Sequence, residues 1–432
     1  MTIAVNANSD QADLPKASCA NELNDLLNLA PPLRHPELAV LRQTARDRLH
    51  EQTLPTPRDE DWRFTDLSVL RTRSFEPPLA PLNPEIVAEV RHLLCERSFP
   101  SIAQIVLIDG YFCGELSRMD ATGVELLSPS LPAIAPPEVF SDLNAAMLAE
   151  RLCLRLSGHL REPVEVFFVS SRQQQSVVSP RLTVEVAAHG QVSLIERFLS
   201  LTGDQQFTNT VTEISLGAAA CLHHVRIQHQ SPTAIHIGQT AVRQERDSYY
   251  QGHAIDLGGC LSRHHWQVQI QGSGSQTILK GLAIAMDEQI VDTHSAVLFH
   301  APHSRSEQIH KCILGDRAHG IFNGRVIVPQ VAQLTDASQL NRTLLLSDKA
   351  RVDTKPQLEI VADDVKCSHG ATVSQLAAED LFYLRSRGLD QRQARDLLVK
   401  AFALEQLSDI TPEPLQGEIE EALLAKLGGS LA

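Results

Sequence analysis

The chain has 432 residues, too many for one small core, so two or three domains are expected. Its net charge of −14 sets the folded surface against phosphate backbones and anionic lipid, which argues against nucleic-acid and membrane partners. No stretch approaches the roughly 20 apolar residues of a membrane-spanning helix, and with only 4% aromatics burial must rest on Val, Ile, Leu and Ala.

The start, "MTIAVNANSDQADLPKASCANEL", lacks a basic segment followed by an apolar core, and its acids fit an organelle transit peptide poorly. A cytoplasmic protein with a short leader is expected. In "PELAVLRQTARDRLHE" (36–51), Leu38, Leu41, Ala45 and Leu49 fall on one helical face, with Pro36 suited to the first turn. A second helix is expected over 84–97, where Ile86, Val90, Leu93 and Leu94 share a face. "QIVLIDGYFC" (104–113) reads as a hairpin about Asp109-Gly110, and 142–156 reads as helix. Residues 1–160 thus form a mixed, mostly helical region.

From about residue 161 to 374 the helical period gives way to short β-runs. "PRLTVEVAAHG" alternates Leu182, Val184 and Val186 against polar neighbours. "QVSLIERFLS", "HHWQVQIQ", "QTILKGLAIAM", "GRVIVPQ" and "PQLEIVADDVKC" continue the pattern, punctuated by Gly, Asp and Asn. Strands this short and numerous fit a sandwich, a barrel or a β-solenoid. Outward positions rich in Gln, Thr, Ser, His and Arg favour stacked rungs slightly, although no exact period is visible.

Residues 375–432 return to helix. Leu381, Tyr383 and Leu384 belong to a short helix stopped by Gly388. Asp390 is the expected N-cap of a second, with a stripe of Ala394, Leu397, Leu398, Ala401 and Phe402. Beyond Pro412 and Pro414, residues 415–427 carry Ile419, Leu423 and Leu427 on a third.

Four features could carry chemistry. The eight cysteines (19, 95, 113, 153, 221, 260, 312 and 367) include no CxxC, so a closed zinc or cluster site built by this chain alone is not indicated. In a reducing compartment each reads first as a small buried apolar residue. Twelve of the eighteen histidines lie between 223 and 319, but the adjacent pairs His223-His224 and His264-His265 must point to opposite faces of a strand and cannot chelate one ion. They read as surface or core-edge residues, with ligation between neighbouring rungs as the alternative.

Cys367 and His369, in "DDVKCSHGATV", share one strand face, with backbones roughly 6–7 Å apart. A thiolate with an imidazole suits Fe, Zn or Cu(I), and a nearby cation would favour the thiolate. Two donors are half a site. The pair also reads as an ordinary cysteine and a solvent-facing histidine. "DEDWRFTDLSVL" (59–70) reads as an interaction motif or as a helix-start anchor. "FYLRSRG" (Phe382, Tyr383, Leu384, Arg385, Ser386, Arg387, Gly388) reads equally as a partner surface or as a packed helix, since aromatics with Arg are what interfaces use.

The stretches "DWRFTDL", "GRVIVPQVAQLTDASQLNRTLLLSDKARVDTKPQLEIVADDVKCSHGATV" and "DLFYLRSRGLDQRQARDLLVKAF" together resemble the SufB/SufD family of iron–sulfur cluster assembly scaffolds. The resemblance is dense from about 300 to 405. Ser368 and Gly370 beside His369, where SufB-type chains carry acids, and the lack of an N-terminal cysteine cluster, place it nearer the SufD type. The resemblance implies a mainly β protein, a right-handed parallel β-helix between helical ends. It also implies a non-catalytic scaffold paired with a SufB-type subunit, with a SufC-type ATPase docked on the C-terminal helices around Phe382–Gly388. Cys367 and His369 then match residues that help form a transient Fe–S cluster at the SufB interface, and no tightly bound cofactor is expected in the isolated chain. A homodimer is a further possibility for the isolated chain. No GxxxxGK[ST] loop occurs, so ATP hydrolysis falls to the partner. Two other readings stay open: a purely structural partner, and a metal-dependent β-helix enzyme using the central histidines.

Overall fold

The fold is that of a computed structural model describing residues 16–78, 83–97, 99–171, 175–201, 203 and 205–430; the expected leader before residue 16 lies outside the described residues. Four helices come first: α1 (Lys16–Asn28), α2 (Ala39–Leu49), α3 (Ser68–Arg71) and α4 (Pro84–Glu96). The expected helices at 36–51 and 84–97 are both present, the first entered through a 3-10 turn at Pro36–Leu38. Asn83 caps α4 by accepting from the Glu85 N–H at 2.9 Å, satisfying one donor left open by the first turn.

Next come β1 (Ala103–Ile108), β2 (Tyr111–Phe112), β3 (Val124–Leu126), α5 (Val139–Met147) and β4 (Leu152–Leu156). The hairpin forms where expected, with Asp109 and Gly110 both at positive φ, the backbone its two-residue turn demands. The helix expected over 142–156 is corrected: it ends at Met147, and 152–156 is a strand. Leu152, Leu154 and Leu156 find a sheet edge to pair with, and that tertiary pairing overrides local periodicity.

The β-run continues with β5 (Val164–Ser170), β6 (Val177–Val178), β7 (Arg181–Val186), β8 (Gln191–Ser200), β9 (Phe207–Leu216) and β10 (Cys221–His229). Then follow β11 (Ile235–Gln244), β12 (Tyr249–Asp256), β13 (Leu261–Ile270), β14 (Gln276–Ala285) and β15 (Ile290–Phe299). The last are β16 (Arg305–Leu314), β17 (His319–Val328), β18 (Thr335–Leu345), β19 (Arg351–Ile360) and β20 (Val365–Ser374). From β7 onward successive strands fall in opposite sheets and pair in parallel with the next strand but one. One sheet runs β2-β1-β5-β8-β10-β12-β14-β16-β18-β20, the other β3-β4-β7-β9-β11-β13-β15-β17-β19, with β6 beside β9. This is the parallel β-solenoid that the resemblance implied, flanked by helices.

From β4 onward, residues paired in parallel lie between 26 apart (Ile235 and Leu261) and 32 apart (His319 and Arg351), so coil length drifts and no fixed period shows in the sequence. Aliphatic columns from the two sheets meet inside, among them Leu194, Leu222 and Leu279 facing Ile214, Val242, Val268, Val297 and Val326. Gly252 is needed here: a Cβ on it would fall 2.0 Å from Trp266 Cζ2.

Both outer faces are covered. On one sheet Leu38, Ala45, Leu49 and Phe140 pack against Ile235, Ile237 and Leu261. On the other, three C-terminal helices follow the last strand: α6 (Ala378–Ser386), α7 (Gln391–Leu404) and α8 (Glu413–Ser430). Val399, Leu415, Ile419 and Leu423 pack against Val225, Ile255, Leu282 and Ile313. Asp390 caps α7 as expected, in a capping box with Gln393. The stripe expected on α7 is turned: Ala394, Val399 and Ala403 are buried, Leu397 and Ala401 are exposed, because 3.6-residue spacing admitted two faces and the docked sheet selects one.

Candidate functional site

Cys367 and His369 sit on β20, an edge strand paired only with β18 among the described residues. Cys367 is in register with Ala337 and His369 with Gln339, both buried on the inner face of β18. Strand alternation therefore turns both side chains toward the inside of the last coil. Cys367 is half-buried and packs with Val365 and Leu358 against the interior, whereas His369 is exposed.

The pair is thus one face of an uncapped coil end. Val373, Ile360 and Val361 are exposed beside it at 48%, 41% and 64%, far more than interior strand residues. The cation that would favour a thiolate is not beside Cys367. Burial raises its thiol above the ordinary value and Asp336 adds to this, against a smaller pull from the Ala337 backbone. Among the described residues no group of three His, Cys, Asp or Glu side chains is placed to hold a metal ion. Chemically, this end offers one soft donor and one imidazole from a single strand, half of a metal coordination set.

The segment Phe382–Gly388 follows on α6, which buries none of its residues. Phe382 is 73% and Tyr383 56% exposed; Leu384 is half-buried; Arg385, Ser386, Arg387 and Gly388 are exposed. Arg387 lies 5.3 Å over the Tyr383 ring and donates to its hydroxyl at 3.3 Å. Gly388, at φ +98°, ends the helix in the left-handed cap that favours glycine. Of the two readings of this segment, the exposure of Phe382 and Tyr383 favours a surface over a packed helix. α6 stands off the core carrying an aromatic and arginine surface.

The central histidines divide by face as strand geometry requires: His223 and His265 point outward, His224 and His264 inward. Reading them as surface or core-edge residues is corrected for the inward set. His224, His236, His264 and His310 are buried inside the coils. His224 bridges Glu196 at 2.8 Å and Tyr250 at 3.0 Å; His236 meets Arg226 at 2.7 Å and Gln230 at 2.7 Å; His264 meets the Thr240 hydroxyl at 2.9 Å. These partners tie rung to rung, and no ligand cluster forms. Trp62 is an anchor: its ring lies 3.7 Å from the Arg263 guanidinium and 4.9 Å from Phe140.

No local pattern marks the polar struts that seat the C-terminal helices. The fully buried Lys311 side chain reaches the Phe402 carbonyl at 2.7 Å and the Glu405 carboxylate. Asp409 takes Lys280 at 2.7 Å and His253 at 3.2 Å. Glu418 pairs with Arg97 at 3.0 Å and Arg197 at 2.5 Å. A charged residue at the rim of a helix stripe looks solvated until the sheet beneath it is known.

Comparison with known proteins agrees with this architecture. Residues 167–402 match the family model described as SUF system FeS cluster assembly, SufBD core domain. An iron-sulfur cluster assembly SufBD family protein of Synechocystis sp. is 38% identical, over 88% of this chain and 89% of its own length. Protein ABCI7, chloroplastic, of Arabidopsis thaliana is 31% identical over 94% and 89%. Iron-sulfur cluster assembly protein SufD of Escherichia coli is 30% identical over 88% and 89%. A family match across more than half the chain, with relatives covered nearly end to end, shows that the chain belongs to the SufBD family of iron–sulfur cluster assembly proteins.

Proposed function

We propose that the chain is a scaffold subunit of the SUF system that helps assemble an iron–sulfur cluster jointly with a SufB-type subunit and a SufC-type ATPase. The observation that carries this reading is the position of Cys367 and His369 on the inner face of an uncapped edge strand. An unpaired ladder edge pairs with strands of another chain, and two donors at that edge need the remainder from the same partner. The cluster is cargo, shared with the partner and transient. Cys367 supplies a thiolate once deprotonated, and His369 supplies an imidazole beside it.

The exposed Phe382–Gly388 surface is the docking place for the ATPase. Lys311–Glu405 and the Asp409 cluster tie the segment after it to the solenoid, so motion at α6 reaches strands β12, β14 and β16. The setting is cytoplasmic. The chain has no catalytic step of its own, and in isolation the same open end can pair with a second copy.

The test is maturation of iron–sulfur enzymes in cells that depend on this pathway, with Cys367→Ala and His369→Ala, alongside co-purification of the three subunits. Lost maturation with an intact complex supports ligation. A second reading, a structural partner with an incidental Cys–His pair, draws on the upward shift of the Cys367 thiol. Full maturation in the double variant would decide for it.

A further inference from the structure

Inside the last coils a set of polar groups lacks protein partners. The Gln308 and Gln339 amides, both ring nitrogens of His310, and the Ser295, Ser306 and Thr343 hydroxyls are buried with no hydrogen-bond partner. All lie on inner faces. Register stacks Gln308 beneath Gln339 and Gln339 beneath His369; Ser306 lies in register with Ala337 under Cys367. In the earlier coils more of the inner polar groups are paired: His224 with Glu196, Arg226 with Asp256 and His236, and His236 with Gln230.

Two glycines make room for these groups. A Cβ on Gly281 would fall 2.5 Å from His310 Nδ1, and one on Gly324 would fall 1.9 Å from Gln339 Nε2. Next to His310 a small cavity of about 20 Å³ is lined by Asn341, Thr343, Cys312, Phe322 and Asp256. One water needs about 10–15 Å³ of such space and two to four polar partners, which His310 and Thr343 supply. A buried polar group left without a partner forfeits its hydration with nothing in return, so a cluster of this size is not sustained dry.

We propose that the cavity beside His310 in the last coils is a binding site for ordered water, held by His310 and Thr343. Asp256 and Lys311 also line the cavity, but the Asp256 carboxylate accepts from Arg226 at 2.9 Å and Ser262 at 3.1 Å and the Lys311 ammonium reaches Phe402 and Glu405, so the charges of the lining are already paired and a neutral, water-sized ligand is favoured over an ion. The thiol present, Cys312, is pushed up to about 12 by burial and so stays protonated, and His310 is driven down to about 4 by the same burial and stays neutral. Phe322 closes one side, its ring 4.9 Å from that of His310.

The test uses the intact chain. Magnetic relaxation dispersion of solvent deuterium and oxygen-17 counts long-lived internal waters. The count is expected to fall by at least one in His310→Phe and in Thr343→Val. Thr343→Val is near-isosteric and carries the test if His310→Phe does not fold. An unchanged count in Thr343→Val overturns the proposal. A high-resolution crystal structure gives the independent check. Density within hydrogen-bond distance of His310 and Thr343 supports it; a dry cavity with the amides turned to pair each other overturns it.

Discussion

Replacing Asp292 by alanine should loosen the N-terminal region from the solenoid. Asp292, on the outer face of β15, has a fully buried carboxylate that accepts from Arg263 and from the Thr65 hydroxyl and lies 3.0 Å from His294 Nε2. The Arg263 side chain is 4% exposed and lies under Trp62, so removing Asp292 strands a buried guanidinium. Breaking such a pair from one side costs about 3–5 kcal/mol, roughly two to three and a half decades in the opening equilibrium. Removing both partners in Arg263→Met/Asp292→Ala should recover much of that loss, because no uncompensated charge remains.

The two tryptophans separate the joint from the core. Trp62 sits at the joint and Trp266 is buried in the coils, so Trp266→Phe leaves a fluorescence signal from the joint alone. Denaturant unfolding of Asp292→Ala in that background should shift the Trp62 transition strongly, with a smaller shift for Trp266 measured in a Trp62→Phe background. Acid tests the same pair. Burial raises the Asp292 carboxyl, but Arg263 and His294 outweigh it and hold it well below the ordinary range. A depressed folded value means the stabilisation is complete above the unfolded value of about 3.9 and is lost as pH falls below it. The Trp62 transition should therefore weaken below about pH 4 in the parent and stay flat in Asp292→Asn. A loss under about 1 kcal/mol in Asp292→Ala, or no rescue in the double variant, would refute the ion-pair account.

Phe382→Ala and Tyr383→Ala should change stability by less than about 0.5 kcal/mol, being exposed surface substitutions, while reducing co-purification of the ATPase subunit; a stability loss above that would show α6 to be packed. Gly252→Ala should destabilise by about 1–3 kcal/mol or more, because the added methyl meets the Trp266 ring; a neutral melting shift would remove the close approach from the account. Cys312, buried and pushed up to about 12, should resist alkylation in the folded chain at pH 8 and react on unfolding, read by mass spectrometry; native labelling there would contradict the sealed interior.

What could be read in the sequence was the local part. Positive-φ turns such as Asp109-Gly110, the Asp390 cap and the alternation of Leu182, Val184 and Val186 depend on near neighbours alone, and each is found. What could not be read depends on partners about thirty residues away or more. Leu152–Leu156 is a strand because β7 lies beside it. The inward histidines are interior because a second sheet faces them, which single-strand alternation cannot reveal. That Cys367 and His369 lie near the end of the β-region could be read from the sequence, but that both face the inside of the last coil follows from their register with Ala337 and Gln339 on a strand about thirty residues earlier.

That place has a consequence for how the proposed cluster chemistry is controlled. A parallel solenoid satisfies each strand's backbone groups from the coil below and the coil above, so its last coil leaves one row unpaired. Sheets that end in solvent blunt that row with charge, proline or a covering helix. Here Pro356, Glu359 and Lys366 on the last strands supply part of that blunting, yet Ile360, Val361 and Val373 are exposed at the same end and α6 stands off the core. Cys367 is half-buried and held toward its protonated form, and among the described residues it belongs to no group of three side chains placed to hold a metal ion. Covering the end with strands from another chain both completes the ladder and supplies what the thiol lacks, a charge or metal to favour the thiolate and further donors to close the coordination. On this reading metal handling is coupled to assembly: the lone subunit presents a thiol that binds metal weakly, and the completed complex presents a site.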